Sequence, residues 1–287
     1  MELIDARVRL PFELRAKVRG SSPALLHEQY DRILDLSAKS EAGTLAAMFG
    51  ELDDTGIARA VIHAEYEDDA DAAQLNDAVA GLVAQHPDRF AGVGTIMLPP
   101  ASPGAAARQV DAIAALGLAG VNIQPAFFGM DIDDRRLYPA YARAEELGLV
   151  VALHTGINYS RMHPIRHERA ELLDQVACDF PQLRLMACHG GWPWVAEYCA
   201  VARRHPTVYL EFGGLSPKYV GRPGSGWDVL MSFLPRVLVD QVLFGTDWPV
   251  MPIDRVLHEW QEIGLETPVL ERLLGANARD LFWTKDA

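Results

Sequence analysis

A chain of 287 residues with 49% hydrophobic and 23% charged content, and no low-complexity tract, has material for one large α/β domain or two small ones. Its formal net charge of −13 and pI near 5.1 argue against nucleic acid or an anionic membrane as partner, since both favour basic surfaces. The start, Met1-Glu2-Leu3-Ile4-Asp5, lacks the basic and apolar regions of a signal peptide, and no apolar run reaches membrane-spanning length, so a cytoplasmic location is expected.

In chain order, short β-branched runs predict strands over Leu3 to Leu10, Ala58 to Ala64, Phe90 to Leu98, Gly120 to Gln124, Leu149 to His154, Leu183 to His189, Val208 to Phe212 and Val242 to Phe244. Helical periodicity lies between them, at Asp71 to Gln85, Gly104 to Leu116, Leu137 to Leu147, Glu168 to Cys178 and Trp194 to Arg204. Gly56 and Gly148 read as helix stops, with Pro87, Pro181 and Pro206 just past others. Eight strands alternating with helices predict a single-domain (β/α)8 barrel over residues 1–287. A doubly wound sheet is the competitor, but no Gly-rich dinucleotide fingerprint follows the first strand. Two long connections, Pro11 to Ala42 and Gly213 to Gly226, leave strand C-termini and are expected over the barrel mouth. Cys178, Cys188 and Cys199 fit no disulfide or zinc pattern and read as buried thiols.

On the first strand, simple alternation puts Asp5, Arg7 and Arg9 on one face. The two arginine attachment points are then about 6.6 Å apart, and unit charges at that separation repel by roughly 2.5 kcal/mol at an effective dielectric of 20. Something negative belongs between them. Asp5 is the structural candidate, and a substrate carboxylate, matched by the guanidinium fork, is the functional one.

Other strands also end in polar residues: His63, Asn122 and Gln124, His154, His189, Glu211 and Asp247. A core strand has no packing reason to finish in histidine or aspartate, so the repetition points to a site at the barrel mouth. His63 by itself reads as a satisfied core or loop histidine. His189-Gly190-Gly191-Trp192-Pro193-Trp194 offers close backbone approach and tryptophans to wall a pocket. Asp247, in Gly245-Thr246-Asp247-Trp248-Pro249, ends an apolar strand where a carboxylate is costly unless paired or used. The segment Tyr159 to Arg169 adds positive charge: Arg161 or Arg166 could hold a second carboxylate, while the blander reading is a solvated loop with His163 and His167 exposed.

These stretches, with Gly275-Ala276-Asn277-Ala278 near the end, resemble the amidohydrolase superfamily, in the branch that includes aminocarboxymuconate-semialdehyde decarboxylase. The resemblance implies a metal site with two strand-one ligands, a strand-five histidine and a strand-eight aspartate. His154, His189 and Asp247 match, whereas Arg7 and Arg9 stand in the strand-one positions and cannot donate a lone pair. Asn122 and Gln124 lie where binuclear members carry a bridging lysine, so no binuclear centre is expected. The superfamily's metal-independent pyrone-dicarboxylate lactonases offer a parallel, with arginines on substrate carboxylates and the strand-eight aspartate activating water.

The expectation is therefore a metal-independent hydrolase of a small carboxylate-bearing ester or lactone. Asp247 would be the base, His189 and His154 would assist, and Arg7 and Arg9 would bind the anion, with Asn122, Gln124, Tyr159, Arg161, Trp192, Glu211 and Trp248 around it. No cofactor is expected. The fallback is one divalent zinc or manganese on His154, Asp247 and His189. The alternatives are nonoxidative decarboxylation of a small aromatic or unsaturated acid and, in another class, a ligand-binding pseudoenzyme. A homo-oligomer is compatible with this reading.

Overall fold

The computed structural model describes residues 1–15, 24–66 and 71–284. The predicted strands all form: β1 Leu3–Arg9, β2 Ile57–His63, β3 Phe90–Thr95, β4 Gly120–Ile123, β5 Val150–His154, β6 Arg184–Cys188, β7 Val208–Glu211 and β8 Val242–Leu243. They pair in parallel in sequence order. The sheet closes on itself where Ala6 N donates to Phe244 O and Arg9 N to Trp248 O, both at 2.9 Å. It is a (β/α)8 barrel.

After β1 the chain forms α1 Ala24–Leu34, α2 Leu36–Ala42 and α3 Leu45–Thr55. Helices α4 Ala72–Gln85, α5 Pro103–Ala115, α6 Tyr138–Glu146, α7 Ala170–Asp179 and α8 Val195–Arg204 follow β2 to β6. Their starts are written locally: Asp71 accepts from Ala73 N, and Ser102 accepts from Ala105 N with Pro103 at the first helical position. Gly56 and Gly148 stop their helices with φ of 72° and 64°. After β7 come α9 Pro217–Val220 and α10 Asp228–Phe233, and after β8 α11 Ile253–Gln261, α12 Thr267–Glu271 and α13 Asn277–Phe282. No described helix is long and apolar enough to cross a membrane.

Two apolar layers follow from the strand alternation. Val61, Val93, Val150, Ala152, Met186 and Leu243 pack inside the barrel, floored by Ala278 and Leu281, and a larger cluster fills the space between strands and helices. β1 departs from simple alternation. Its register against β2 runs from Asp5 opposite Ala60 to Val8 opposite Ile62, three steps against two. The irregularity acts as a bulge: Ile4 and Ala6 join the interior cluster, whereas Val8 and Leu10 join the outer one. Asp5 and the two arginines therefore do not share one face.

Cys188 and Cys199 are buried as expected, but Cys178 is exposed. His167 is also not exposed: it is 5% accessible, with Nδ1 2.5 Å from Asp131 Oδ1.

Gly275 lies where the C-terminal helices meet the start of β1, and a β-carbon there would overlap the Glu2 carbonyl. Backbone cannot swing aside as a side chain can. Gly275→Ala is expected to lower the unfolding free energy by about 1–3 kcal/mol, read from urea unfolding; an unchanged midpoint would show that the strand end yields freely.

Candidate active site

The negative partners of the arginines are the chain's own carboxylates, and Asp5 is not one of those paired with Arg7. Arg7, with no exposed surface, places Nε 3.0 Å from Asp247 Oδ1 and Nη2 2.5 Å from Glu65 Oε1. Its Nη1 also lies 3.3 Å from Cys188 Sγ and 3.4 Å from His63 Nδ1. Arg9 donates from Nη2 to Asp247 Oδ2 at 2.8 Å and from Nε to Oδ1 at 3.0 Å, while Nη1 meets Glu65 Oε2 at 2.6 Å. Two guanidinium groups and two carboxylates thus form a closed, charge-balanced square. Asp5 instead accepts from Thr246 Oγ1 at 2.6 Å, Thr246 N at 3.1 Å and Arg7 N at 3.0 Å, which ties strand one to strand eight. Burial pushes the Asp5 carboxyl up to about 7 against the lowering effect of these donors.

Asp247 and His189 sit on left-handed backbone, with φ of 56° and 66°. Residues other than glycine reach this region at a cost and persist there when the surroundings hold them. Asp247 N donates to Arg7 O at 2.9 Å, so the strained turn belongs to the barrel seam. Burial would raise the Asp247 carboxyl, but Arg9 and Arg7 outweigh it and hold the group well below its ordinary range. His189 Nδ1 is 2.7 Å from Gly213 O; because a carbonyl can only accept, that nitrogen carries the proton. Burial, His154 and Arg7 lower His189 to about 3, so its ring is neutral and Nε2 is an acceptor. The same logic applies to His63, whose Nε2 donates to Ala6 O at 3.0 Å and which burial and Arg7 keep uncharged.

His154 Nδ1 meets a carboxylate oxygen of Glu168, a fully buried acid that burial pushes well above the ordinary range. The His154 ring packs against His189 at 4.7 Å and edge-on to Phe127 at 5.1 Å between centroids.

One pocket brings together Arg9, His154, Tyr159, His189, Trp192 and Asp247, all expected from the sequence, with Tyr30, Phe127 and Leu215 among its further walls. Both long connections reach it, through Tyr30 and Leu34 and through Gly214 and Leu215, although residues 16–23 of the first lie outside the described part. The remaining expected residues are elsewhere. Arg7 is beneath the pocket. Asn122 stitches strands through Nδ2 to Ala64 O at 2.9 Å, and Gln124 is 2% exposed with both amide atoms unpartnered among the described residues. Glu211 accepts from Gly213 N inside the barrel. Trp248 is 1% exposed and donates to Glu51 Oε1 at 2.8 Å as part of the outer core. Arg161 is on the surface, on Gln29 Oε1 at 2.5 Å. The sequence reading missed Glu65 and Glu168 as site residues. Glu65 carried a signal, lying two residues past His63 at the end of an apolar strand; Glu168 had none, being the last residue of a short turn.

The residues do not fit the metal implied by the sequence resemblance. Both oxygens of Asp247 are engaged by guanidinium groups, and Arg7 faces His63, so a divalent cation there would meet two fixed positive charges. Among the described residues, the group of three donors within 4.8 Å of one another is Asp174, Cys178 and His205, which does not include His154, His189 or Asp247.

Two outcomes follow for stability. Arg7→Met, which leaves Glu65 and Asp247 sharing Arg9, is expected to cost about 3–5 kcal/mol. Arg7→Lys should also destabilise, because an ammonium lacks the fork that spans these partners; an unchanged denaturation midpoint for Arg7→Lys would contradict this. Burial pushes Glu211 up to about 8 from 4.5, against the lowering effect of Arg7. An acid raised in this way stabilises the fold fully below its unfolded value and loses that contribution as pH rises through its folded value. Asp247, shifted the other way, contributes above its ordinary 3.8 and loses that contribution in acid. Melting temperature should therefore decline from about pH 5 to about pH 8, and Glu211→Gln should flatten the decline. A flat wild-type profile would refute the assignment.

A family model described as amidohydrolase matches residues 19–283. A stretch of 93 residues is 36% identical to 2-amino-3-carboxymuconate-6-semialdehyde decarboxylase of Dictyostelium discoideum, covering 32% of this chain and 25% of that protein, so the match spans a quarter of the relative. A TIM-barrel protein from Bordetella bronchiseptica is similar over 98% of both chains, with 29% identity and a TM-score of 0.81. The 5-carboxyvanillate decarboxylase of Sphingomonas paucimobilis is similar over 99% of both chains with a TM-score of 0.76, and at 20% identity it speaks for the fold. With the family model spanning nearly the whole barrel, the chain belongs to the amidohydrolase family of enzymes.

Proposed function

We propose that this enzyme is a metal-independent carboxy-lyase that removes carbon dioxide from a small aromatic or unsaturated acid. The double clamp on Asp247 carries the reading. A carboxylate held well below its ordinary range by two arginines is a poor base at neutral pH, which weakens the expected role of Asp247 in activating water. Its role in this reading is to stay ionised and to fix Arg9 at the edge of the pocket. Decarboxylation asks instead for a proton delivered to carbon. His154, backed by the buried acid Glu168, is the group suited to deliver it.

The substrate lies among Tyr30, Phe127 and Tyr159 with its carboxylate toward Arg9. His154 protonates the carbon that bears the carboxylate; the bond to the carboxylate carbon then breaks, and its electron pair restores the unsaturated system as carbon dioxide leaves. Glu168 returns a proton to the ring, and the pair takes up one proton from water before the next turnover. His189, neutral and with its lone pair on Nε2, accepts a hydrogen bond from a substrate hydroxyl. The Dictyostelium relative, matched over a quarter of its length, carries a decarboxylase name, which supports the same reaction class.

A second reading is hydrolysis of an activated ester or lactone, favoured by the same His154 and Glu168 pair, which could take a proton from water. Products separate the two. A panel of hydroxybenzoic and unsaturated acids in deuterated water should give carbon dioxide and a product labelled at the vacated carbon, with no loss on chelation. Glu168→Gln and His154→Asn should each slow turnover by about 10²–10⁴-fold. Ring opening without carbon dioxide would favour the hydrolase, and activity lost to chelator and regained with manganese would overturn metal independence.

A further inference from the structure

The pocket does not end at its mouth. Tyr159, Trp192 and Leu215, which wall it, also wall a second cavity completed by Tyr219, Ser225 and Trp227 among others. The inner chamber holds about 60 Å³ and the outer about 310 Å³. The outer chamber is built by the long connection after β7, which also supplies Gly214 and Leu215 to the inner one. Its walls are unusual for a surface: Trp192 is 36% and Tyr219 52% exposed, both lining a concavity that shares three walls with the site. Among the described residues the buried Ser225 hydroxyl has no partner, and Lys218 Nζ lies 5.0 Å from the centroid of the Tyr219 ring.

We propose that the outer chamber is a substrate subsite, and that the acid taken by this enzyme carries a second flat, apolar group beyond its reacting head. This rests on the reading that the inner pocket is where reaction occurs. Three observations carry it. The chambers share walls, so one ligand can occupy both. The inner one is the narrower, about 60 Å³ against about 310 Å³. The outer one presents aromatic faces, the surfaces against which a second ring stacks. Trp192 and Leu215 form the waist between head and tail, and Tyr219 covers the tail. A substrate held at both ends would use binding energy from its unreactive part to position the reacting carbon.

The test compares 2-hydroxybenzoic acid with its 4-phenyl and 5-phenyl derivatives by calorimetric titration of the full-length protein, together with carbon dioxide release. One derivative is expected to bind roughly tenfold or more tightly than the parent, as burial of a second ring predicts. Tyr219→Ala should erase most of that ratio; with Tyr219 half exposed, circular dichroism should show an intact fold. Equal affinity for parent and derivatives, or a ratio that survives Tyr219→Ala, would overturn the subsite. Tight derivative binding without carbon dioxide release would leave the subsite standing and remove the carboxy-lyase, whereas release from the parent with no gain from either phenyl group would do the reverse. No binding by any of the acids at millimolar concentration would overturn both.

Discussion

The square of Arg7, Glu65, Arg9 and Asp247 sets the terms for the rest of the site. Four charges are withdrawn from water at the mouth of a barrel, where each alone would be prohibitively costly and where mutual pairing offsets the desolvation. The arrangement is balanced, which is why a carboxylate so deeply placed stays ionised and why two guanidinium groups can stand side by side. It also removes both oxygens of Asp247 from other duties. A barrel mouth that could have been organised around a metal ion is organised around planar cations that belong to the chain, fixed in place and insensitive to pH.

In the proposed reaction, chemical work therefore falls to neighbours outside the square. His189 is neutral with a known tautomer because one carbonyl, Gly213 O, dictates it. His154 is different, since its partner is an acid whose own burial makes a proton easy to share. Strain is concentrated at the same place: of the three non-glycine residues with positive φ among the described residues, two are Asp247 and His189. The scaffold holds these two backbones where they would not rest unaided, and both side chains face the pocket.

Much of this was legible in the sequence, because the barrel repeats one pattern and each strand end adds a residue that packing cannot explain. Arg9, His154, His189 and Asp247 were visible on that ground. What escaped were consequences of three-dimensional closure. The bulge in β1 shifts one residue and leaves no mark on composition, yet it separates Asp5 from the arginines it was paired with on paper. Glu65 joins Arg7 from just past the end of β2, 58 positions away, and no local rule links them. Glu168 lies in a turn of charged residues that reads as solvated, and only the packing of that turn onto the barrel, with Tyr198 Oη donating to its carbonyl at 2.7 Å, makes it interior. Trp248 was misplaced for the converse reason: it follows a site residue, but the left-handed turn at Asp247 sends it outward to Glu51.

The contact between Arg7 and Asp247 spans 240 positions in the chain and lies on the seam that closes the barrel. Contacts of such separation incur their loop-closure entropy before they contribute any stability, so closing this seam slows folding. Until the last strand docks against the first, two buried-to-be cations have one acid between them, and the pocket has no floor. Site assembly and completion of the fold are thus a single event, and a chain stalled with an open barrel carries exposed charge, not a partly working enzyme.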